Sequence, residues 1–163
     1  MIDDVRFRRP VEDDYRYLVD RVDDWWGGRT THPLFRRFWF QHFTGSSWVA
    51  EVADGALVGF LVGFLSPDHP DEAYVHLVAT SPNHRHRGIA RRLYEQFIDD
   101  VRARGVGRVT AVTWPGNRAS VAFHRAIGFQ PDEGPGTQRL YGTPAYPNHD
   151  AYGEDRVVFS RTI

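Results

Sequence analysis

The sequence contains neither cysteine nor lysine among its 163 residues, and each absence excludes a group of mechanisms. Without cysteine the chain can form no disulfide framework, no cysteine zinc site and no acyl-cysteine intermediate. Without lysine it can supply neither the phosphate-binding lysine of a nucleotide hydrolase nor a Schiff-base amine. All 20 basic residues are therefore arginines.

The sequence also has little net charge and no long apolar run. Its formal charge is -1, so it offers no global basic field for nucleic acid or for an anionic membrane. The longest apolar run, residues 56–65, is about half the length that a bilayer requires and is better interpreted as a buried strand. Asp3 and Asp4 stand where a signal peptide would be basic. We expect a cytoplasmic protein with no nucleic-acid or membrane partner.

The residues that are present predict a single domain over positions 1–163. A hydrophobic content of 41%, with 14% aromatic residues, is enough for a packed core. Alternation and helical spacing predict strands at 5–9, 47–52, 56–65, 73–80, 108–114, 129 onward and 156–162, and helices at 11–22, 34–43, 89–101 and 117–127. The Asp54-Gly55 pair predicts a tight hairpin, and residues 130–155 show no periodicity.

The most informative segment is the turn Arg85-His86-Arg87-Gly88-Ile89-Ala90, which lies between a predicted strand and a predicted helix. The first N–H groups of a helix have no intrahelical partner, and the helix dipole is positive there. The turn is therefore suited to an anion such as a pyrophosphate.

Two blocks together carry a family resemblance. The first is Pro82 with Arg85-x-x-Gly88-x-Ala90, and the second is Asn117-x-x-Ser120-x-x-Phe123-x-x-x-Ile127-Gly128-Phe129. In order and spacing they resemble the Gcn5-related N-acetyltransferase (GNAT) family. The resemblance implies an α/β fold with a mixed, mostly antiparallel sheet of about seven strands and helices on both faces. It also implies two splayed central strands, 73–80 and 108–114, that admit the pantetheine arm of acetyl-CoA.

The resemblance assigns most of the acetyl-CoA contacts to backbone groups. The cofactor-binding residues that it implies are Val78, Ala79, Thr80, Arg85, His86, Arg87, Gly88, Ile89, Ala90 and Arg91, followed by Asn117, Ser120 and His124 on one stripe of the second helix. The side chains of Arg85 and Arg87 would lie near the phosphates. Asn117 is equally well explained as a helix cap.

His124 stands where the family usually places a tyrosine near the cofactor sulfur. A histidine could protonate the leaving thiolate, because its pKa lies near neutrality. Two alternatives stay open. His124 could be a spectator, or Tyr141 or Tyr146 from the late loop could supply the phenol.

The general base and the acceptor pocket carry weaker signals. Glu72, Tyr74 and His76 share one face of their strand by alternation, and Glu72 or His76 could take the proton of the amine, although each could also be an ordinary surface residue. Trp26, Arg29 and Trp39, with Tyr74, are the candidate acceptor-binding residues, for which a core role is the alternative for the aromatic ones.

These observations predict an acetyl-CoA-dependent N-acetyltransferase that transfers acetyl directly, in a ternary complex, to the primary amine of a small molecule. Alternatives are a non-catalytic acyl-CoA sensor and a protein or peptide N-acetyltransferase. A dinucleotide-binding enzyme would need its glycine-rich turn near the N-terminus. His84 and His86 lie among arginines that oppose a cation, so we expect no metal. A homodimer stays open.

Overall fold

The computed structural model describes residues 2–163, which form five α-helices and nine strands. The helices are α1 (Asp14–Val19), α2 (Val22–Trp25), α3 (Trp39–His42), α4 (Ile89–Ala103) and α5 (Arg118–Ala126). The strands are β1 (Val5–Arg8), β2 (Trp48–Val52), β3 (Leu57–Leu65), β4 (Glu72–Thr80), β5 (Arg108–Thr113), β6 (Gln130–Pro131), β7 (Gln138–Leu140), β8 (Thr143–Ala145) and β9 (Val157–Thr162). Over residues 2–163, no helix is both long and apolar enough to cross a membrane.

Seven strands form one sheet in the order β1-β2-β3-β4-β5-β9-β6, while β7 and β8 pair separately. The predicted mixed α/β class with about seven strands is confirmed. The chain divides into two compact units. The first contains the residues up to 65 and residues 75–105, and the second contains residues 66–74 and 106–163, so that β4 contributes to both. The single domain stays a prediction.

In the first unit, β1, β2 and β3 form an antiparallel meander. The predicted hairpin between β2 and β3 is present. Gly55 takes a φ of +85°, and the amide of Val52 donates to the carbonyl of Ala56 at 3.0 Å. A left-handed residue of this kind favours glycine, which is why the Asp-Gly pair predicted the turn.

The core of the first unit is strongly aromatic. Phe35, Phe40 and Phe60 are almost completely buried, and the ring of Phe35 lies 4.9 Å from that of Phe60 and 5.6 Å from that of Tyr15. Helix α4 buries the apolar face that its sequence predicts, namely Ile89, Leu93, Tyr94, Phe97, Ile98 and Val101. The aromatic residues near positions 25–43 therefore build much of this core.

The first predicted helix, 11–22, is divided in the structure into α1 and α2. The amide of Arg21 bonds the carbonyl of Leu18 at 2.9 Å, which is the tighter spacing of a 3₁₀ turn. The guanidinium of Arg21 donates a hydrogen bond to the carbonyl of Tyr17 at 2.7 Å and so caps the C-terminal end of α1. At the other end of α1, Asp14 accepts the amide of Val11 at 2.8 Å.

The second predicted helix, 34–43, is also too long, because the α-helical part is confined to α3. A short 3₁₀ turn at His32–Leu34 precedes it. Phe35 then takes non-helical dihedral angles, with φ -98° and ψ 88°, and is completely buried. The demand for that buried ring overrides the helical spacing of the neighbouring aromatic residues.

The second unit pairs β5 with β9 and β9 with β6, both antiparallel, and carries α5. Within the aperiodic segment 130–155, β7 and β8 form a hairpin that the sequence analysis did not predict. Its two-residue loop is Tyr141-Gly142, with φ values of +51° and +83°. Positive φ at both central residues is the geometry of a type I′ turn.

Candidate active site

The predicted cofactor turn lies in the first unit, between β4 and α4. Ser81 follows β4 directly, and its amide donates to the carbonyl of Val58 at 2.8 Å. A 3₁₀ turn at Pro82–His84 leads to Arg85, and Gly88 is the N-cap of α4 with a φ of +83°. His86 also has a positive φ, of 60°. The order strand, turn and helix agrees with the sequence prediction.

The N-terminus of α4 is suited to a negatively charged ligand. Gly88 provides no side-chain cap, and the first turn of α4 contains no acidic residue. The N–H groups of a first helical turn lack intrahelical partners, and the helix dipole adds a partial positive charge. His86, Arg87 and Gly88 are exposed, so that a ligand can approach the turn.

The position of α4 depends on a glycine in β3. A Cβ built on Gly59 would lie 2.9 Å from Cγ2 of Ile89, 3.3 Å from Cδ1 of Leu93 and 3.3 Å from the carbonyl oxygen of Ala79. The start of α4 and the end of β4 are therefore packed against β3 at a point where no side chain fits. This role of Gly59 was not predicted from the sequence, although an isolated glycine in a strand indicates close backbone approach.

Among residues 2–163, Thr80 at the end of β4 has a buried hydroxyl without a hydrogen-bond partner. A buried hydroxyl normally finds a partner, because leaving one unsatisfied costs about 1–3 kcal/mol. The neighbouring Ala79 is buried and Val78 half-buried. The unsatisfied Oγ1 is consistent with a polar ligand beside Thr80, where the resemblance places the thioester end of the cofactor.

The side chain of Arg85 has a hydrogen-bond partner within the protein, so its role is not confined to binding phosphate. Its Nη2 donates to the carbonyl oxygen of Trp25, the last residue of α2. Trp25 belongs to residues 23–35, the 23–35 segment, which also includes the predicted acceptor residues Trp26 and Arg29.

The 23–35 segment is closed by Asp23. Oδ1 of Asp23 accepts the amides of Thr31 at 2.7 Å and His32 at 2.8 Å, and Oδ2 lies 2.9 Å from Nδ1 of His32. These hydrogen bonds, led by the one from the His32 side chain, hold the pKa of Asp23 well below its usual range. Gly27 and Gly28 turn the segment with φ values of +73° and +78°.

His76 fastens the end of the same segment to β4. Its Nε2 donates to the carbonyl of Leu34 at 3.0 Å, and its ring stacks on the indole of Trp39 at 4.5 Å and 18°. Burial lowers the pKa of His76, so the imidazole is neutral at pH 7 and Nδ1 carries the lone pair. This is the protonation state that a general base requires.

Trp39, a predicted acceptor residue, is only 5% exposed and belongs to the core of the first unit. Within the described chain its indole N–H has no hydrogen-bond partner. Trp26 is half-buried, and its ring meets that of Phe60 edge-on at 5.9 Å. The core role that the sequence analysis kept as the alternative therefore describes much of what these two indoles do.

In the second unit, α5 carries the other predicted cofactor residues. Asn117 caps the helix, since its Oδ1 accepts the amide of Ser120 at 3.1 Å. His124 is only 4% exposed and stacks on Phe159 at 4.8 Å and 10°. Its Nδ1 donates to the carbonyl of Ser120 at 2.8 Å. Burial lowers the pKa of His124, which opposes the protonated form that a general acid needs.

The two alternative acids have different settings. Tyr141 is 59% exposed, and its ring lies 5.4 Å from that of Trp114. Tyr146 donates its phenolic hydrogen to Asp132, and this bond raises the pKa of Tyr146. A raised pKa makes a phenol a weaker acid, so Tyr141 is the less constrained of the two.

Glu72 and Tyr74, on the part of β4 that belongs to the second unit, also have defined surroundings. Oε1 of Glu72 accepts from Nη1 of Arg108 at 2.7 Å. Burial raises the pKa of Tyr74, and the charge of Asp150 adds to the effect. Glu72 therefore has an ion-pair partner, while His76 of the first unit has a neutral ring.

The structure thus distributes the predicted site residues over two sets. The first unit holds Val78, Ala79, Thr80, Arg85, His86, Arg87, Gly88, Ile89, Ala90 and Arg91 together with Trp26, Arg29, Trp39 and His76, and the second holds Glu72, Tyr74, Asn117, Ser120, His124 and Tyr141. Over residues 2–163, no three His, Asp or Glu side chains are grouped so that they could hold a metal ion.

The hydrogen bonds of Asp23 to Thr31 and His32, and the contact between Arg85 and Trp25, were not predicted from the sequence. The only local signal for the hydrogen bonds of Asp23 is that this acid precedes two consecutive glycines. That pattern favours a turn but does not identify the residues that Asp23 bonds. The Arg85 contact joins residues 60 positions apart, and no spacing rule reaches that far.

Comparison with known proteins identifies the family of the chain. The model of the Acetyltransferase (GNAT) family matches residues 12–129. Over 113 residues the chain is 35% identical to the L-2,4-diaminobutyric acid acetyltransferase of Nocardia farcinica, with 69% of this chain and 58% of that protein covered. It is 32% identical over 122 residues to the enzyme of the same name from Streptomyces coelicolor, with 74% and 71% covered. The match thus spans little more than half of the Nocardia protein.

A solved structure shows the same fold. The diaminobutyrate acetyltransferase of Paenibacillus lautus, in complex with L-2,4-diaminobutyric acid and coenzyme A, superposes with a TM-score of 0.73 at 22% identity, covering 97% of this chain and 94% of that one. Together with the turn before α4 and the family match over residues 12–129, this confirms the predicted family. The chain belongs to the GNAT family of acetyltransferases.

Proposed function

We propose that this protein transfers the acetyl group of acetyl-CoA to an amine of L-2,4-diaminobutyrate or of a closely similar small diamino acid. The observation that carries the proposal is the identity of 35% and 32% to two acetyltransferases named for that substrate. The fold of a solved relative that binds the same acid supports it. The predicted small-molecule N-acetyltransferase agrees with the names of these relatives.

The turn before α4 fits the diphosphate of acetyl-CoA. The open N-terminus of α4, the exposed Gly88 and the absence of an acid from the first helical turn favour an anion there. The unsatisfied hydroxyl of Thr80 supports a polar cofactor group near the end of β4. Asn117 and Ser120 of α5 stay predicted contacts of the pantetheine arm.

When bound, acetyl-CoA supplies a thioester that an amine can attack. The acceptor amine must first lose a proton, and we assign this step to Nδ1 of His76, because the pKa of its ring is lowered and Nε2 is already donated to Leu34. Glu72 is the second candidate, with its carboxylate paired to Arg108. Trp26, Arg29 and Tyr74 stay the proposed acceptor contacts.

The thiolate that leaves takes up a proton, for which we propose Tyr141 or His124. The phenol of Tyr141 is 59% exposed, whereas the proton on Nδ1 of His124 is donated to a helix carbonyl. Because the chain has no cysteine to form an acetyl-enzyme, we propose that acetyl passes directly from thioester to amine.

The test is a panel of acceptors with the purified full chain and acetyl-CoA. The panel contains L-2,4-diaminobutyrate, shorter and longer diamino acids, polyamines and a peptide with an N-terminal alanine. We expect thiol release and a singly acetylated product with diaminobutyrate, at the highest kcat/KM of the panel. Faster acetylation of the peptide would favour a peptide N-acetyltransferase, and cofactor binding without thiol release would favour an acyl-CoA sensor.

Two further proposals concern the protein as a whole. We propose a cytoplasmic location, because acetyl-CoA is a metabolite of that compartment, and cell fractionation tests it.

We also propose a homodimer, since Trp114, Tyr141 and Tyr152 expose between 42% and 97% of their surface. Light scattering on the purified chain measures its mass directly, and a monomer at all concentrations would contradict the homodimer.

A further inference from the structure

Arg85 connects two parts of the first unit that are distant in sequence. It follows the 3₁₀ turn before α4, and its Nη2 donates to the carbonyl of Trp25 at the end of α2. Carbonyl groups at a helix C-terminus lack intrahelical partners and attract cationic side chains. Trp25 itself is buried, so the carbonyl group that accepts the hydrogen bond of Arg85 belongs to a residue held by the core.

The rest of the 23–35 segment is ordered by its own hydrogen bonds. Asp23 closes it through Thr31 and His32, and the carbonyl of Leu34 is held by His76 of β4. The segment is therefore fastened to the remainder of the first unit at one end by Arg85 and at the other by His76.

We propose that Arg85 is a positioning residue which couples the turn 81–88 to the 23–35 segment. A ligand that immobilises the turn also immobilises the base of the Arg85 side chain, and through it the carbonyl of Trp25. Binding at the turn thereby reduces the residual motion of the segment further, and so lowers the entropic cost that a second ligand meets there. The identity of the two ligands, acetyl-CoA at the turn and the amine at Trp26 and Arg29, rests on the proposed function, but the link itself does not.

This role differs from that of a phosphate ligand in its kinetic consequences. Loss of a side chain that binds phosphate lowers the affinity for the cofactor. Loss of a positioning residue lowers the affinity for the acceptor and leaves the cofactor turn intact. The variants are Arg85→Ala, which removes the donor, and Arg85→Gln, which keeps a shorter one. Arg102→Ala is the matched control, because Arg102 pairs with the exposed Asp99 in the last turn of α4.

The link is tested first without any ligand, by hydrogen exchange of the backbone amides. The amides of Gly27, Gly28, Thr31 and His32 are hydrogen-bonded within the segment. We expect Arg85→Ala to speed exchange over residues 23–35 by about tenfold, the size of one charge-assisted hydrogen bond. Exchange over residues 93–103 should not change, and Arg102→Ala should match the wild type.

Acetyl-CoA is then added to each protein. In the wild type the 23–35 segment should exchange more slowly, and in Arg85→Ala this additional protection should be absent. The KM for L-2,4-diaminobutyrate should rise about tenfold in Arg85→Ala, while the Kd for CoA should change less than about twofold. Arg85→Gln should bring the acceptor KM part of the way back to the wild-type value.

Unchanged exchange over 23–35, or a loss of CoA affinity as large as the rise in KM, would overturn the proposal. If the wild type acetylates no amine, the proposed function fails while the exchange experiment still decides the link.

Discussion

Two histidines of this chain have lowered pKa values for the same reason, burial, but they differ in what surrounds the ring. His76 lies on β4, its ring is stacked on Trp39, and its Nε2 donates a hydrogen bond to the carbonyl of Leu34. His124 lies against Phe159, and its Nδ1 is used by Ser120. In both cases a carbonyl fixes the tautomer, so that the basic nitrogen is Nδ1 in His76 and Nε2 in His124.

His76→Gln tests the proposed base. We expect kcat/KM at pH 7 to fall by about 10²-fold, the usual contribution of a general base. The deficit should shrink at higher pH, because the acceptor amine then loses its proton unaided. Initial rates from pH 5 to 10 measure this, and a larger deficit in Glu72→Gln than in His76→Gln would move the role to Glu72.

His124→Phe tests whether the buried ring acts as an acid or as part of the core. Its proton is donated to Ser120 and its pKa is lowered, so we expect kcat to fall by less than about threefold, well short of a catalytic loss. A fall of about 100-fold with unchanged CoA affinity would restore His124 as the general acid.

The same variant has a signature in stability. The folded state resists protonation of His124, whereas the unfolded chain takes up that proton near the ordinary pKa of 6.5. Stability is therefore complete above that pH and falls as the pH drops through it. Urea unfolding at pH 8 and pH 5 should show a smaller loss in His124→Phe than in the wild type. An equal loss in both proteins would contradict the assignment.

At the scale of the element, the position of α4 is decided by the close approach at Gly59. Any side chain there meets Ile89 and the backbone of Ala79, so that the start of α4 or the strands beside it must shift. Because the turn before α4 is the proposed diphosphate site, this packing connects the stability of the first unit to cofactor affinity.

Gly59→Ala should lower the free energy of unfolding by about 1–3 kcal/mol, the usual cost of overpacking a core. We also expect a several-fold weaker affinity for CoA, because the amides at the start of α4 are displaced. Gly45→Ala is the control, since nothing lies within 4 Å of a Cβ at that position. Denaturation and calorimetry measure both quantities, and equal behaviour of the two variants would refute the packing argument.

Elements with a local chemical signal were predictable from the sequence. The Asp54-Gly55 turn, the apolar face of α4 and the Asn117 cap of α5 were all predicted at or within two residues of their observed positions. Each depends on residues close together in the chain, namely a left-handed glycine, a 3.6-residue spacing or a side-chain oxygen three positions before an amide.

The rest depends on contacts that spacing does not encode. The helix predicted over 34–43 lost its first half because Phe35 is buried in a non-helical conformation. The β7–β8 hairpin was missed because a tyrosine, Tyr141, occupies a left-handed position that asparagine or glycine usually takes. In the site, the cofactor turn was predictable from its motif, whereas the partners of Asp23 and Arg85 were not.

At the scale of the whole molecule, the absence of cysteine leads to one kinetic expectation. We expect both substrates to be bound together, because the chain lacks cysteine, the side chain that most readily carries an acetyl group as a covalent intermediate. Double-reciprocal plots at several fixed acetyl-CoA concentrations should therefore intersect. Parallel lines, with acetyl recovered on the protein by mass spectrometry, would contradict direct transfer.

The most direct test of the central claim is calorimetric titration of CoA and acetyl-CoA into the wild type, Gly88→Val and Gly153→Val. Gly88 and Gly153 have nearly the same φ, +83° and +81°, so both variants strain the backbone alike, but only Gly88 lies at the start of α4. We predict micromolar binding in the wild type and Gly153→Val, and binding at least about tenfold weaker in Gly88→Val, one lost charge-assisted hydrogen bond or more. No heat with either ligand in the folded wild type, or equal affinity in all three proteins, would contradict the account.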